Sequence, residues 1–144
     1  MAEFTASPQL EAAIKAAASV SEKKKGTVLF RRGEPAIGIF LILTGRVTLR
    51  LEGQKSLYSA RDLGRGAIVG LPGTLSGGFY SLTAEVSEDA ELAFVSRPDF
   101  VVLLAADSSL CLEAMNLLGK EIASIRSALV DHRSKKSGFV QTHA

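Results

Sequence analysis

The amino-acid sequence predicts a mainly β barrel or sandwich with helices on both sides of it. Between Thr27 and Ser96 the chain carries short segments rich in β-branched and aliphatic residues: TVLFR, IGIFLIL, VTLRLE, KSLYSA, AIVG, YSLTAEV and ELAFVS. Most of the 13 glycines fall at or between these segments, where turns need positive φ or close backbone approach. Short strands at this spacing are typical of an all-β barrel or sandwich.

Composition limits the class of protein. The 144 residues are 47% hydrophobic, which supports one sizeable core and one domain. A net charge of +2 creates no large field for nucleic acid or a membrane surface. The apolar runs are too short to span a bilayer, and Lys15 interrupts the only stretch that resembles a signal peptide. The single cysteine, Cys111, cannot form an internal disulfide and fits a reducing compartment. We expect a cytoplasmic protein without a membrane partner.

Residues 1–25 predict a leading helix and a turn. Ser7 and Pro8 form an N-cap and first helical position, and the alanine-rich stretch after them favours a helix to about Val20. The SEKKKG segment then ends that helix. Its three consecutive lysines, 23–25, predict a solvated turn rather than a nucleic-acid contact, because no aromatic residues lie between them.

The β region is expected to occupy residues 26–106 together with a short helix. Ser96 and Asp99 have the spacing of a capping box, which predicts a helix from Pro98 to about Ala105. After Asp107 and Ser108, residues 107–133 predict a second helix of about 25 residues. Residues 134–144 are polar and predict a flexible tail.

The second helix carries an apolar seam typical of a coiled coil. Residues recur at steps of four and three: Leu118, Ile122, Ile125, Leu129 and His132. This spacing favours a homodimer, although the alternative that the stripe packs on the chain's own barrel stays open. Gly119 costs the helix about 1 kcal/mol relative to alanine. That cost is easier to understand if a second backbone or the barrel comes close at Gly119.

Two segments resemble a known family. Gly33-Glu34-Pro35-Ala36, followed by IGIFLILTGRVTL, resembles the opening signature of the cyclic-nucleotide-binding domains of catabolite-activator and FNR-type regulators. The stretch from LGRGAIVG to SRPDF is similar to the later block of the same domain. The resemblance covers residues from about Gly26 to Leu129. It implies a β-roll or jelly-roll barrel followed by a long dimer helix.

The resemblance also implies a binding site, the phosphate-binding cassette that follows Gly70. In the family a glutamate holds the ribose hydroxyl and an arginine pairs with the cyclic phosphate, contacts that an uncharged group cannot replace. Here the glutamate position is Leu71 and the arginine position is Tyr80. Ser81 matches the family's small residue. Thr83 lies two residues further along the predicted strand, so its side chain is expected on the same face as that of Ser81. Tight binding of cyclic AMP is therefore not expected.

The remaining candidate contacts are weaker. The residues from Pro72 through Gly73 and Thr74 to Leu75 are expected to form a short helix whose N–H groups could face an anion. Tyr80 could stack on a base, but a tyrosine in a strand more often lies in the core. Arg126 could supply the missing charge from the long helix. These positions complete the candidate ligand-binding set: Gly70, Leu71, Pro72, Gly73, Thr74, Tyr80, Ser81, Thr83 and Arg126.

The sequence thus predicts a sensory or regulatory module, not an enzyme, with altered or lost nucleotide binding. No cofactor is predicted, and the expected partners are a cyclic nucleotide or another small ligand and an unidentified downstream protein. The alternative is a ligand-free dimeric scaffold whose pocket is filled by Leu71, Phe79 and Tyr80. Whether the cavity beside Gly70 to Ser81 is empty or filled distinguishes the two hypotheses.

Other functions are disfavoured. A cupin enzyme needs several histidines on neighbouring strands to hold its metal, but the two histidines, His132 and His143, lie outside the predicted barrel. No serine or cysteine has a histidine base available there, so neither a catalytic residue nor a metal ligand is predicted. The residues after the seam are too few for a helix-turn-helix domain, and direct DNA binding is therefore not expected.

Overall fold

The computed structural model describes residues 5–51 and 61–140, with side chains described as far as Ser127. Its helices and strands follow in this order: α1 (Pro8–Ala17), β1 (Ser19–Lys23), β2 (Val28–Phe30), β3 (Gly38–Arg50), β4 (Arg61–Leu63), β5 (Ile68–Val69), α2 (Leu71–Ser76), β6 (Thr83–Ser96), α3 (Arg97–Ala105) and α4 (Ser108–Val140). The β-rich middle and helical ends are those the sequence predicts.

The six described strands form one antiparallel sheet with the order β1-β6-β3-β4. Strand β2 also pairs with β6, and β5 pairs with β3. The 13-residue β3 and 14-residue β6 pair along most of their lengths. Their pairing shifts register near Gly45, which has φ 88° and lies where a Cβ would collide with the Asp89 carbonyl. Because this irregularity bends the strand without ending it, the segments IGIFLIL and VTLRLE lie in one strand.

The segments YSLTAEV and ELAFVS likewise contribute to the single strand β6. TVLFR contains β2 and AIVG contains β5, as expected. The predicted strand KSLYSA falls in residues 52–60, outside the described part of the chain.

Two short strands, β1 and β4, were not predicted. The helix expected to reach Val20 ends at Ala17, and the segment assigned to a turn contributes Ser21 to Lys23 to β1. Strand β1 pairs with β6 from Ser19↔Phe94 to Lys23↔Ala90. Four of its five residues are exposed, so no alternation of apolar and polar residues marks it in the sequence. Pairing with a strand distant in sequence decides its conformation.

The predicted helix starts are confirmed. The Ser7 hydroxyl accepts a hydrogen bond from the Leu10 N–H at 3.1 Å, and the Ser96 hydroxyl accepts one from Asp99 at 3.4 Å. Asp107 Oδ1 accepts from the Ser109 N–H at 2.9 Å. These side chains satisfy donors that the first turn of each helix leaves unpaired.

Helix α4 is longer than predicted. It has 33 residues and ends at Val140 rather than near Arg133. The chain's 4 prolines lie no later than Pro98, so no proline interrupts the helical hydrogen bonds beyond that point. Among the described helices, none combines the length and apolar character needed to cross a bilayer.

Two clusters of buried side chains make up the core. The helical cluster joins α1, α3 and α4 to the sheet: Leu10, Ile14, Ile39, Leu41, Ile68, Leu71, Ala93, Val95, Phe100, Leu104, Leu110, Ala114 and Leu117. Cys111 packs against this cluster, as expected for a small apolar residue. The strand cluster lies among the strands: Phe30, Ala36, Ile42, Val47, Leu49, Leu63, Ala67, Val69, Tyr80, Ala84, Val86, Ala90 and Leu92. The region around α2 lies where both clusters meet.

Candidate functional site

The candidate cassette begins at Gly70, directly before α2. Gly70 has φ 92°, a conformation that favours glycine. A Cβ on it would lie 3.0 Å from the Tyr80 ring and 3.2 Å from the Gly38 carbonyl oxygen. The short helix expected from Pro72 to Leu75 is present within α2. This close approach brings α2, β3 and Tyr80 together around the candidate site.

Tyr80 is a core side chain with a fully engaged hydroxyl. Its hydroxyl donates to the Gly38 carbonyl oxygen at 2.8 Å and accepts from the N–H groups of Ile37 and Gly38 at 3.2 Å each. Its ring stacks on Phe30 with 3.6 Å between ring centroids, and only 4% of the residue is exposed. Burial raises the pKa of the Tyr80 hydroxyl, although its hydrogen bonds to Gly38 and Ile37 act in the opposite direction.

Two other cassette positions also pack inward. Thr74 is fully buried, and its hydroxyl donates to the Gly38 carbonyl oxygen at 2.9 Å, the same oxygen that Tyr80 uses. Leu71, which the sequence resemblance matches to the family's glutamate, is buried in the helical cluster. Thr74 in the first turn of α2 and Tyr80 in the segment before β6 are therefore joined through one backbone carbonyl, that of Gly38.

The space between the cassette and α4 is nearly filled. A cavity of about 10 Å³ remains there. It is lined by Phe30, Leu49, Gly70, Pro72, Gly73, Tyr80, Ser81, Leu82, Glu121 and Ile125. Since a single water needs about 10–15 Å³ of such volume, this conformation has no room for a nucleotide. The Tyr80 and Phe30 rings occupy the cassette side of this space.

An ion pair that we did not predict ties α4 to the sheet beside this cavity. Arg61 Nη2 lies 2.7 Å from Glu121 Oε2, and Arg61 Nη1 donates to the Ser124 hydroxyl at 2.7 Å. Only 5% of Glu121 is exposed. Burial raises the pKa of Glu121, while the Arg61 guanidinium lowers it.

A sequence signal for Glu121 exists. The buried residues Leu110, Ala114 and Leu117 follow steps of four and three, and the next step of four reaches Glu121. An acidic residue on the buried face of an amphipathic helix needs a cationic partner. The partner, Arg61, comes from β4, a strand that no sequence pattern predicted.

The candidate residues fall into three groups. Gly70, Pro72, Gly73, Tyr80 and Ser81 line the cavity. Leu71, Thr74 and Thr83 are buried, and the Thr83 hydroxyl accepts from the Arg32 N–H at 3.0 Å. Arg126 is exposed on α4 and does not line the cavity.

The residues of the predicted dimer seam point in different directions. Leu118 packs against the helical cluster and Ile125 lines the cassette cavity, whereas Ile122 is 48% exposed. The side chain of Leu129 lies outside the described residues. No described atom comes within 4 Å of a Cβ placed on Gly119, so the close approach of the barrel that we considered there is absent from the described structure.

Comparison with known proteins now decides the family. Residues 20–107 match the family described as the Cyclic nucleotide-binding domain. The chain belongs to this family. A search of curated proteins finds no match. The resemblance stated from the sequence motifs is thereby confirmed.

Solved structures share the fold of this domain. A protein from a bacterial cyclic-GMP-dependent signalling pathway that regulates phytopathogenesis is 25% identical, with a TM-score of 0.70 over 85% of this chain and 96% of its own. The Thermus thermophilus catabolite activator protein is 23% identical, with a TM-score of 0.68 over 90% of this chain and 60% of its own. A cyclic nucleotide-binding-like protein from Brucella abortus is 27% identical, with a TM-score of 0.57 over 69% of this chain and 85% of its own.

These likenesses confirm the predicted architecture. The six-stranded antiparallel sheet, flanking helices and long C-terminal helix match the jelly-roll fold of cyclic-nucleotide-binding domains. Membership of this family makes the chain a cyclic-nucleotide-binding-like regulatory module.

Proposed function

We propose that this domain is a non-enzymatic cytoplasmic regulator whose cassette has lost the usual cyclic-nucleotide contacts and is closed by its own Tyr80. One observation carries the proposal: the Tyr80 ring stacks on Phe30, and the cavity beside it measures about 10 Å³. Leu71 and Tyr80 also stand where the family has its ribose-binding glutamate and phosphate-binding arginine. The cassette thus offers both a smaller volume for a ligand and fewer charged groups to contact one.

The energetic cost of opening the cassette supports weak nucleotide binding. Moving Tyr80 out would break its stack on Phe30, worth about 0.5–1.5 kcal/mol beyond burial. It would also break hydrogen bonds to Gly38 and Ile37, each contributing about 0.5–1.5 kcal/mol. A cyclic nucleotide would have to offset this loss without the arginine–phosphate pair. We therefore expect cyclic AMP and cyclic GMP to bind weakly or not at all.

Two forms of this function differ in whether the cassette binds a ligand. A ligand-free scaffold is favoured by the filled cavity. Of the three residues expected to fill it, Tyr80 lines the cavity, whereas Leu71 packs in the helical cluster and Phe79 is 63% exposed. A sensor for a small ligand is favoured by the family. Cyclic GMP is the first ligand to test, because the 25%-identical structure comes from a cyclic-GMP-dependent pathway.

Calorimetry on matched variants tests the proposal. The parent domain, Leu71→Glu/Tyr80→Arg and a control, Phe79→Arg, are each titrated with cyclic AMP and cyclic GMP. Phe79 is 63% exposed, so the control adds an arginine next to the cassette without removing Tyr80 from it. We expect binding only in the double variant, after circular dichroism has confirmed that it folds. A parent dissociation constant near or below micromolar would contradict the proposal.

We also propose a homodimer through α4, by an exposed stripe that includes Ile122 of the predicted seam but not Leu118 or Ile125. Leu112, Met115 and Ile122 are 66%, 42% and 48% exposed, and open space surrounds Gly119 between them. Together with Gly119 these residues follow steps of three, four and three, which place them on one face of α4. The opposite face carries Leu117 and Glu121, which pack on the barrel. Gly119 would let a second helix come close.

A further inference from the structure

A second cavity lies beside Arg46 in the middle of β3, at the end of β4 and along the loop from Leu63 to Ala67. Its volume is about 200 Å³, and it shares no lining residue with the cassette cavity. One water needs about 10–15 Å³, so this space can hold a small molecule. Two arginines line it, Arg46 and Arg65.

Arg46 is only weakly engaged by its neighbour. Its Nε lies 3.5 Å from Asp62 Oδ2, which is longer than the 2.7–2.9 Å typical of a charge-assisted hydrogen bond. Asp62 Oδ1 already accepts a hydrogen bond from the Thr48 hydroxyl at 2.7 Å. Within the described residues Arg46 forms no other ion pair. The fork made by its two terminal nitrogens can therefore take a further acceptor.

The ion pair of Arg65 is also long. Its Nη2 lies 3.6 Å from Glu11 Oε2, and the same carboxylate oxygen lies 3.5 Å from Lys15 Nζ. The Arg65 side chain is 68% exposed, so it can turn toward the cavity at little cost. Counting only the charged residues that line the cavity, two arginines face the single carboxylate of Asp62.

The loop keeps space open beside the Arg46 guanidinium. A Cβ on Gly64 would lie 3.2 Å from Arg46 Nη1, tighter than an ordinary van der Waals contact. A guanidinium fork matches the oxygens of a phosphate group, which accept two parallel hydrogen bonds. We propose that the cavity between Arg46 and Arg65 binds a phosphate group, supplied as inorganic phosphate or as the monoester of a small metabolite.

The test is a titration of the ¹⁵N-labelled protein, followed by NMR, with inorganic phosphate and separately with glycerol phosphate. Sodium chloride keeps the ionic strength constant, so general screening does not change. Saturable shifts are expected at Gly64 and Arg65, with a dissociation constant of millimolar order or tighter. Tighter binding of the ester identifies a metabolite as the source, and equal binding identifies free phosphate.

Variants locate the site. Arg46→Gln and Arg65→Gln should each weaken binding by about tenfold or more, and Arg46→Lys should also weaken it because an ammonium lacks the planar fork. Gly64→Ala should weaken it by crowding Arg46. Arg31→Gln, an exposed arginine elsewhere, is the control and should change nothing. The proposal is overturned if neither compound gives saturable shifts, or if folded Arg46→Gln and Arg65→Gln both bind like the parent.

Discussion

Replacing Glu121 with alanine should loosen the contact of α4 with the sheet and lower the free energy of unfolding. The substitution leaves the Arg61 guanidinium, whose side chain is 22% exposed, without the carboxylate that lies 2.7 Å away. Removing one partner of a buried ion pair costs about 3–5 kcal/mol. Because Arg61 keeps its hydrogen bond to Ser124 and some solvent contact, we expect a loss of about 2–3 kcal/mol.

A double-mutant cycle isolates this interaction. Urea unfolding followed by circular dichroism is measured for Glu121→Ala, Arg61→Ala and the double variant. All three are measured at one protein concentration, because the proposed dimerisation would make stability depend on concentration. Replacing both residues by apolar ones, Arg61→Met with Glu121→Leu, should restore much of the stability because no charge then stays buried. Glu88→Ala, at an exposed carboxylate of β6, is the control and should change stability by less than about 0.5 kcal/mol.

If Glu121→Ala unfolds like the parent and the cycle shows no coupling between Arg61 and Glu121, this ion pair does not hold α4 against the sheet. Hydrogen exchange gives an independent measurement. Faster exchange in Glu121→Ala should be concentrated in α4 near Ile122 to Ser127, while β3 and β6 keep the parent's protection.

Three further predictions follow from the site and the helix. Tyr80→Phe should lower stability by about 1–3 kcal/mol in urea unfolding, since it leaves buried groups of Gly38 and Ile37 with fewer partners. Burial raises the pKa of Tyr80 above its unfolded-state value of 10.0. The neutral Tyr80 hydroxyl therefore contributes fully to the free energy of unfolding below pH 10.0, and this contribution declines as pH rises through the folded-state pKa. Alkaline unfolding should therefore be less steep in Tyr80→Phe, and an unchanged pH profile would count against this role. In light scattering, Ile122→Asp should convert the dimer to monomer while the off-stripe control Lys120→Asp does not, and a monomeric parent at micromolar concentration would end the dimer proposal. If a ligand is found, hydrogen exchange should change both in the cassette and from Ala105 to Ser109, whereas a change confined to the cassette would favour the scaffold.

Local signals predicted much of the fold. Ser7, Ser96 and Asp107 act on N–H groups within three residues of themselves, so their capping roles are visible in a short window of sequence. The turn glycines and β-rich segments indicated the barrel, and the two matched motifs indicated its family. The same resemblance predicts, from residue types alone, that Leu71 and Tyr80 replace the family's charged cassette residues.

Contacts between distant segments decided the rest. Strand β1 exists because β6 pairs with it, and β3 continues past Gly45 because the register shift accommodates the bend. A seam spaced by four and three residues did not reveal which face of α4 meets the barrel. That face is set by the helical cluster and by Arg61, which reaches Glu121 from a strand 60 residues earlier in the chain.

The sequence by itself determined the fold class and the family, and it predicts the loss of the family's two charged ligand contacts, because each depends on residue types at short spacing. Only the tertiary structure decided that the cassette is filled. The Tyr80 ring reaches Phe30, and its hydroxyl reaches Gly38, 42 residues earlier in the chain. Closure of the cavity depends on how strands from different parts of the chain pack, and no local pattern encodes that volume.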